Sequence, residues 1–257
     1  MSERDLENFL ARHPLTIPTR EQTYTPLLLS DSKGKRLKHL SANSDLPILY
    51  VCQGGATTQD CLTLLEEFIS RHPKPVFVYV WTGTCDITRK SDRGKIQVRA
   101  FDDRHVERIV QTYTSITECV LRHNGRVKFI GIPSYSVSRY NQYRSGVLVK
   151  SEEKQDKEVC RQIGCLNQHI CSINERLGVN TLKFNADLLK SHKGRKTINF
   201  NLLSDGIHQG ELLGRKWLRK LQLDIVKTCF RSESDVISID PQELLEFEIH
   251  QTQDGSN

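Results

Sequence analysis

Five short apolar runs alternate along this chain with longer segments of helical periodicity. The runs are rich in Val, Ile, Leu and Phe, and their length is typical of buried strands. The segments between them place apolar residues three or four positions apart, which predicts amphipathic helices. Strands that alternate with helices predict an α/β fold, with a mainly parallel five-stranded sheet covered on both faces. The predicted strands are residues 26–30, 47–52, 75–81, 127–132 and 179–184.

The main helices are predicted from the same periodicity and from their end signals. The first begins after a candidate N-cap, Thr58, and stops before Pro73, which cannot continue a helix. A later one stops at Gly178, a residue typical of helix ends. The predicted helices are residues 59–71, 103–123, 153–177 and 210–229.

The candidate functional side chains lie in loops that follow the predicted strands. Right-handed crossover connections bring the carboxyl ends of parallel strands to one edge of the sheet, where ligands bind in such folds. Residues 30–34, 53–58 and 82–86 follow the first three strands, and residues 204–208 precede the last helix. Alone, each loop has a structural explanation as a helix cap or a turn. Together, at one edge, they predict a site.

Three of these side chains have the chemistry of a serine hydrolase. Acyl transfer needs a hydroxyl, a base, a carboxylate that holds the base, and donors for the oxyanion. Ser32 supplies the hydroxyl, His208 the base and Asp205 the carboxylate, three residues before the histidine. The backbone N–H groups of Ser32 and Gly55 are the predicted oxyanion donors, and glycine leaves room there for substrate.

These loops resemble the four sequence blocks of the SGNH, or GDSL-type, hydrolase family. Residues 30–32 (Ser-Asp-Ser) match its first block, Gly55 its glycine block, residues 83–86 (Gly-Thr-Cys-Asp) its Gly-x-Asn-Asp block, and residues 205–208 its Asp-x-x-His block. The resemblance spans about residues 25–230. It implies a flavodoxin-like, three-layer α/β/α domain and an esterase or deacylase that uses no cofactor and no metal.

Two positions depart from the family pattern. Ser30 stands where the family usually has glycine. Cys85 stands where the family has an asparagine whose amide completes the oxyanion hole. A thiol is a weak donor and a thiolate would repel the oxyanion, and the loss of one donor costs about 100- to 1,000-fold in turnover.

Three interpretations of Cys85 stay open at this point: a slowed esterase, an esterase with a replacement donor, or a retired enzyme kept for binding. Retention of the whole triad favours activity. A role for Cys85 as the nucleophile itself is a further alternative.

Charge is distributed unevenly along the chain. Residues 232–257 carry seven acidic groups and no Lys or Arg, which leaves 37 basic and 24 acidic groups in residues 1–231. A body this basic predicts affinity for polyanions such as nucleic acid; a solvated surface with an acidic tail is the alternative.

Similar esterase-like domains occur in proteins of LINE-type retrotransposons, so a mobile-element origin is a further hypothesis. The expected substrate is a small acyl ester, for example an acetyl ester.

The segment 134–150 interleaves tyrosines with basic residues after the fourth strand. Tyr135, Arg139 and Tyr140 are predicted to bind substrate there, as part of a lid, a sugar-stacking platform or a nucleic-acid contact. An ordinary surface loop is the alternative.

A group of cysteines and one histidine invites a zinc hypothesis. Their spacing fits no common zinc motif, and they fall in a segment of clean helical periodicity, so a helix face is the favoured interpretation. The residues are Cys160, Cys165, His169 and Cys171.

Three parts are predicted along the chain: an N-terminal extension (1–24), an SGNH hydrolase-like domain (25–231) and an acidic C-terminal tail (232–257).

No apolar run approaches the roughly 20 residues of a membrane span, and the N-terminus lacks the apolar stretch of a signal peptide. A cytoplasmic or nuclear protein with reduced thiols and no membrane partner is therefore expected. The basic cluster at 33–38 is expected to be solvated and, beside Ser32, able to draw an anionic substrate.

Overall fold

The computed structural model describes residues 2–42, 44–91, 94–147, 149–192 and 194–231. The strands are β1 (Thr25–Ser30), β2 (Leu49–Cys52), β3 (Val76–Trp81), β4 (Thr88–Lys90), β5 (Ile96–Val98), β6 (Arg126–Phe129), β7 (Leu189–His192) and β8 (Arg195–Ile198). The helices are α1 (Glu3–Arg12), α2 (Ser32–Leu40), α3 (Thr58–Ile69), α4 (Thr84–Ile87), α5 (Arg104–Arg122), α6 (Val137–Ser145), α7 (Glu153–Arg176) and α8 (Glu211–Thr228). Short 3₁₀ turns occupy Lys150–Glu152, Phe184–Leu188 and Phe200–Leu202.

A parallel sheet in the order β2-β1-β3-β6 forms the centre of the molecule. Helices α1, α2 and α8 pack together, and helices α3, α5 and α7 form a second group, so the sheet lies between two helical layers. The other strands form two small antiparallel hairpins, β4-β5 and β7-β8. The predicted α/β fold with a three-layer arrangement is confirmed.

The predicted fifth strand, residues 179–184, is wrong: within the described residues the central sheet has four strands. Side-chain amides of α7 take the place of a fifth strand along the edge of β6. Asn174 accepts from the N–H of Phe129 at 2.9 Å and donates to its C=O at 2.7 Å. Asn167 does the same for Ile132, at 2.7 and 2.9 Å. Among the described residues, the predicted strand takes part in one ladder-like bond to the sheet, from Gly131 N–H to Leu182 C=O at 2.9 Å.

The core is densest around β3, in which every residue is buried. The Trp81 ring meets Phe184 and Trp217 edge-on, with centroids 5.2 and 5.5 Å away. Phe184 and Trp217 stack on each other at 5.2 Å. This aromatic cluster joins the C-terminal end of β3 to α8, and so supports the sheet edge at which the predicted site lies.

The segment predicted as an N-terminal extension packs onto α8. Leu6 of α1 is fully buried, and the Phe9 ring lies 4.6 Å from the ammonium of Lys216. Thr23 donates its N–H to the C=O of Cys229 at 2.8 Å. The predicted acidic tail, residues 232–257, lies outside the described residues. None of the described helices combines the length and the apolar character needed to cross a membrane.

Candidate active site

Ser32 occupies the turn where β1 becomes α2. Asp31 is the N-cap of the helix, and its carboxylate accepts from the N–H of Lys33 at 2.9 Å. Since the cap residue keeps an extended backbone and the helix starts directly after it, Ser32 is the first helical residue beyond the strand. Its side chain is half-buried at the sheet edge.

Asp205 and His208 are presented by a tight turn in front of α8. One carboxylate oxygen of Asp205 accepts from the N–H groups of Ile207 and His208, at 3.0 and 2.8 Å. Gly206 has φ +90°, and a Cβ there would lie 2.8 Å from the backbone nitrogen of Tyr140, so the turn requires glycine. The bond from Ser204 N–H to His208 C=O, 2.8 Å long, closes the turn.

The structure brings the three predicted catalytic side chains together. The Ser32 hydroxyl oxygen lies 2.8 Å from Nε2 of His208, and Nδ1 of His208 lies 2.6 Å from Asp205 Oδ2. The Asp205 and His208 side chains are 8% and 17% exposed, which limits competition from water. This is the linear hydroxyl–imidazole–carboxylate order in which a serine is activated.

The environment keeps Asp205 ionised. Burial raises its pKa, but hydrogen bonds from the ring and backbone of His208 and from Ile207 outweigh burial and lower the pKa to about 2. A carboxylate that stays charged at neutral pH can hold Nδ1–H and stabilise the imidazolium that forms when Nε2 takes a proton.

Arg36 belongs to the basic cluster at 33–38, but its contact with the turn that carries Asp205 was not predicted from the sequence. It lies one helical turn after Ser32, and its guanidinium donates to Ser204 Oγ at 2.7 Å and approaches Asp205 Oδ2 at 3.4 Å. The side-chain amide of Gln209 donates to the C=O of Lys33 at 3.0 Å. These contacts fasten α2 to the turn that carries the base. The i,i+4 spacing from the nucleophile was the available signal.

Gly55 lies in an exposed turn after β2 with φ +80°, a conformation that favours glycine. A Cβ at Gly55 would meet nothing within 4 Å, so the space beside this backbone is open to a ligand. The turn is anchored to β1 by the bond from Gln53 N–H to Ser30 C=O, 3.1 Å long.

The loops after β2 and β3 are joined by Asp86. Its carboxylate accepts from the N–H of Thr58 at 3.0 Å and from the Thr58 hydroxyl at 2.9 Å. The predicted N-cap Thr58 is therefore wrong: Thr57 caps α3, with its hydroxyl accepting from Asp60 N–H. Thr58 instead joins the glycine turn to the segment that contains Cys85.

Cys85 occupies the position at which the sequence resemblance predicts an oxyanion-hole asparagine. Burial, helped by the charge of Asp31 and opposed by that of Lys33, raises its pKa to about 12. The alternative of Cys85 as the nucleophile is therefore disfavoured, because thiolate character is what makes a cysteine reactive. A neutral S–H also avoids the repulsion of an oxyanion that a thiolate would bring.

The prediction of a solvated basic cluster at 33–38 is wrong for Lys33. Its side chain is 2% exposed, and its ammonium bonds to the Asp31 carboxylate and to Thr84 Oγ1, the latter at 2.6 Å. A buried charge needs such partners because it loses its hydration. Lys33 therefore joins α2 to α4 and is unavailable to a substrate.

The prediction of Tyr135 as a substrate-binding residue is also wrong. Tyr135 is 1% exposed, and its hydroxyl donates to Thr84 C=O at 3.2 Å inside the core. The predicted loop 134–150 contains a helix, α6, whose start packs against the Asp205–His208 turn. Arg139 is exposed there and donates to Asn201 Oδ1 at 2.7 Å, and Tyr140 is half-buried. Substrate contact by Arg139 and Tyr140 stays a prediction.

The residues of the zinc hypothesis lie within α7, as the helix-face interpretation predicted. Among the described residues, no group of three or more His, Cys, Asp or Glu side chains is arranged to hold a metal ion. The four residues are Cys160, Cys165, His169 and Cys171.

Solved structures share this architecture. A candidate acylhydrolase from Bacteroides fragilis gives a TM-score of 0.59 at 13% identity, over 90% of this chain and 100% of that chain. A GDSL-like lipase from Bacteroides thetaiotaomicron gives 0.58 at 11% identity, over 88% and 98%. The C-terminal domain of the Drosophila Oskar protein gives 0.53 at 14% identity, over 82% and 93%. No protein-family model and no curated protein matches the chain. The structural likeness confirms the predicted SGNH hydrolase fold.

Proposed function

We propose that this protein is a serine esterase or deacylase that hydrolyses a small acyl ester, such as an acetyl ester, through an acyl-enzyme on Ser32. The observation that carries the proposal is the hydrogen-bonded series from the Ser32 hydroxyl through His208 to Asp205, with distances of 2.8 and 2.6 Å. The SGNH hydrolase fold is consistent with this chemistry.

In the acylation step, the Ser32 hydroxyl donates its proton to Nε2 of His208 as its oxygen attacks the ester carbonyl carbon. The resulting imidazolium is held by the ionised Asp205 through Nδ1–H. His208 then gives its proton to the leaving alcohol oxygen, the C–O bond of the ester breaks, and the acyl group stays on Ser32.

In the deacylation step, His208 takes a proton from a water molecule that attacks the acyl-enzyme carbonyl. Collapse of this second tetrahedral intermediate returns the proton to Ser32 Oγ and releases the carboxylic acid. The backbone N–H groups of Ser32 and Gly55 are the proposed oxyanion donors, with the weak S–H of Cys85 in place of an amide. Turnover is expected to be slower than with three strong donors.

A serine-directed fluorophosphonate tests the proposal directly. We expect it to label the wild-type protein and not Ser32→Ala, and Ser172→Ala serves as the matched control because Ser172 is exposed on α7, away from the triad. Mass spectrometry of the labelled peptide should place the adduct on Ser32. An unlabelled wild-type protein that is folded by circular dichroism would refute the assembled triad.

Nucleic-acid binding is a second candidate function. The observation that favours it is the excess of 37 basic over 24 acidic groups in residues 1–231. Retention on single-stranded RNA or DNA that weakens steeply between low and physiological salt would support it. Retention that is independent of salt, or absent, would count against it.

A further inference from the structure

A polar cleft of about 470 Å³ lies beside the candidate oxyanion hole. One wall is the start of α3 at residues 57–59, directly after the Gly55 turn, and a second is Asp86, directly after Cys85. Arg99 and the exposed face of α5 complete it. Two walls of the cleft therefore directly follow, in sequence, the two predicted oxyanion positions Gly55 and Cys85.

The side chains that line this cleft are not those of a pocket for an apolar acyl chain. Every lining side chain is polar or charged, whereas pockets for hydrocarbon are lined by aliphatic and aromatic groups. Threonine, serine and glutamine side chains surround the cleft, as is suitable for a group that carries several oxygen atoms. The uncharged polar residues that line the cleft are Thr57, Thr58, Gln59, Gln111, Thr112 and Ser115.

The charge in the cleft is positive. Arg99 and Arg108 face the single carboxylate of Asp86, both of whose oxygens already accept from Thr58. Within the described ranges neither arginine forms an ion pair with an Asp or Glu side chain, whereas the neighbouring Arg104 pairs with Asp102 at 2.7 Å. Two guanidinium groups for one carboxylate leave these charged side chains with a net positive charge, which favours binding of an anion.

The environment of His105 is also positively charged. Its Nδ1 lies 2.7 Å from Nη2 of Arg108, so the ring accepts from the guanidinium there in its neutral form. Burial lowers the pKa of His105, and the charges of Arg108 and Arg99 lower it further. The other ring nitrogen then carries the proton and is a third donor for an anionic oxygen.

Arg99 connects this cleft to the candidate catalytic machinery. Its guanidinium donates to the C=O of Cys85 at 3.3 Å and to the C=O of Thr88 at 3.2 Å. An anion bound by Arg99 would therefore sit against the segment that shapes the oxyanion hole.

From this geometry we infer that the cleft lined by Arg99, His105 and Arg108 binds an anionic oxygen group of the substrate, of the phosphate or carboxylate type. The inference rests on the proposed esterase function and specifies its substrate class: a short acyl ester of an alcohol that carries a negative charge. The polar side chains around the arginines would bind further hydroxyl or ester oxygens of that alcohol.

Three matched acetate esters test the inference: para-acetoxyphenyl phosphate, para-acetoxybenzoate and the neutral para-acetoxybenzamide. We expect kcat/KM to be at least about tenfold higher for an anionic ester, the effect of one charge-assisted hydrogen bond at a partly exposed site. Arg108→Gln should lower the anionic-to-neutral ratio about tenfold, mainly through KM. Arg104→Gln, on the same helix but paired with Asp102, should leave the ratio unchanged. The better of the two anionic esters identifies the group as phosphate or carboxylate.

Two outcomes overturn the inference and are distinguishable from failure of the esterase proposal. Equal kcat/KM for all three esters would reject the anion site and leave the esterase proposal standing. If no ester is hydrolysed, the esterase proposal fails, and titration of phenyl phosphate and of benzoate into the wild-type protein and both arginine variants by calorimetry decides the anion site. Binding that is lost only in Arg108→Gln would support the site, and no binding would reject it.

Discussion

The hydroxyl oxygen of Ser32 lies 2.8 Å from Nε2 of His208, although 176 positions separate the two residues along the chain. The contact arises because α2, which begins at Ser32, packs against α8, which follows His208. The bonds from Arg36 to Ser204 and from Gln209 to Lys33 hold α2 to the turn that precedes α8, without using the nucleophile. Variants at the triad should therefore change chemistry more than fold.

We expect Asp205→Asn to lower kcat on a short-chain aryl ester by about 10,000-fold, because an asparagine amide does not hold the His208 tautomer that accepts a proton at Nε2. Stopped-flow or end-point hydrolysis assays measure this. Asp45→Asn, at an exposed position, is the matched control and should keep wild-type turnover. Turnover close to wild type in Asp205→Asn would show that the carboxylate is not part of the mechanism.

We expect Cys85→Asn to raise turnover by up to about 100-fold, since an amide N–H is a much stronger oxyanion donor than a thiol. The measurement is kcat on the same aryl ester. Cys171→Asn replaces an exposed cysteine of α7 and should have no effect. An unchanged kcat in Cys85→Asn would mean that another donor already fills this position.

Asp205 should contribute to stability in a pH-dependent way. Its pKa of about 2 in the folded protein lies below the ordinary value of 3.8, so the contribution is present above about pH 4 and is lost as the pH falls toward 2. The shift corresponds to about 2 kcal/mol. Urea unfolding of the wild type and of Asp205→Asn between pH 6 and pH 2.5 should show a free-energy difference that shrinks as the pH falls. A difference that stays constant over this range would contradict the prediction.

The edge of β6 should depend on Asn174. Its amide is fully buried and satisfies both the N–H and the C=O of Phe129. Asn174→Ala leaves these two backbone groups unpaired, so we expect a loss of about 2–4 kcal/mol in the free energy of unfolding, measured in urea. Gln168→Ala, exposed on the same helix, should change stability by less than about 0.5 kcal/mol. Equal effects of the two substitutions would show that the amide does not support the edge.

Most of the fold was predictable because apolar residues recur along the sequence at spacings typical of buried strands and of buried helix faces. Four of the five predicted strands and all four predicted helices are present, with ends that differ by a few residues. The exception, residues 179–184, is apolar enough for a strand. A fifth strand is replaced there by the side-chain amides of Asn174 and Asn167, which bond to the backbone at the sheet edge. In the sequence these two residues look like ordinary polar positions of a helix.

The sequence by itself determined the alternation of elements and the loops that carry Ser32, Asp205 and His208, because hydrophobic period and turn residues act over a few neighbouring positions. Only the tertiary structure decided that these three side chains meet, that Lys33 and Tyr135 are buried rather than offered to a substrate, and that Arg36 and Arg99 reach the site. Burial and hydrogen bonding of a polar side chain depend on partners from distant parts of the chain, and local pattern does not record them.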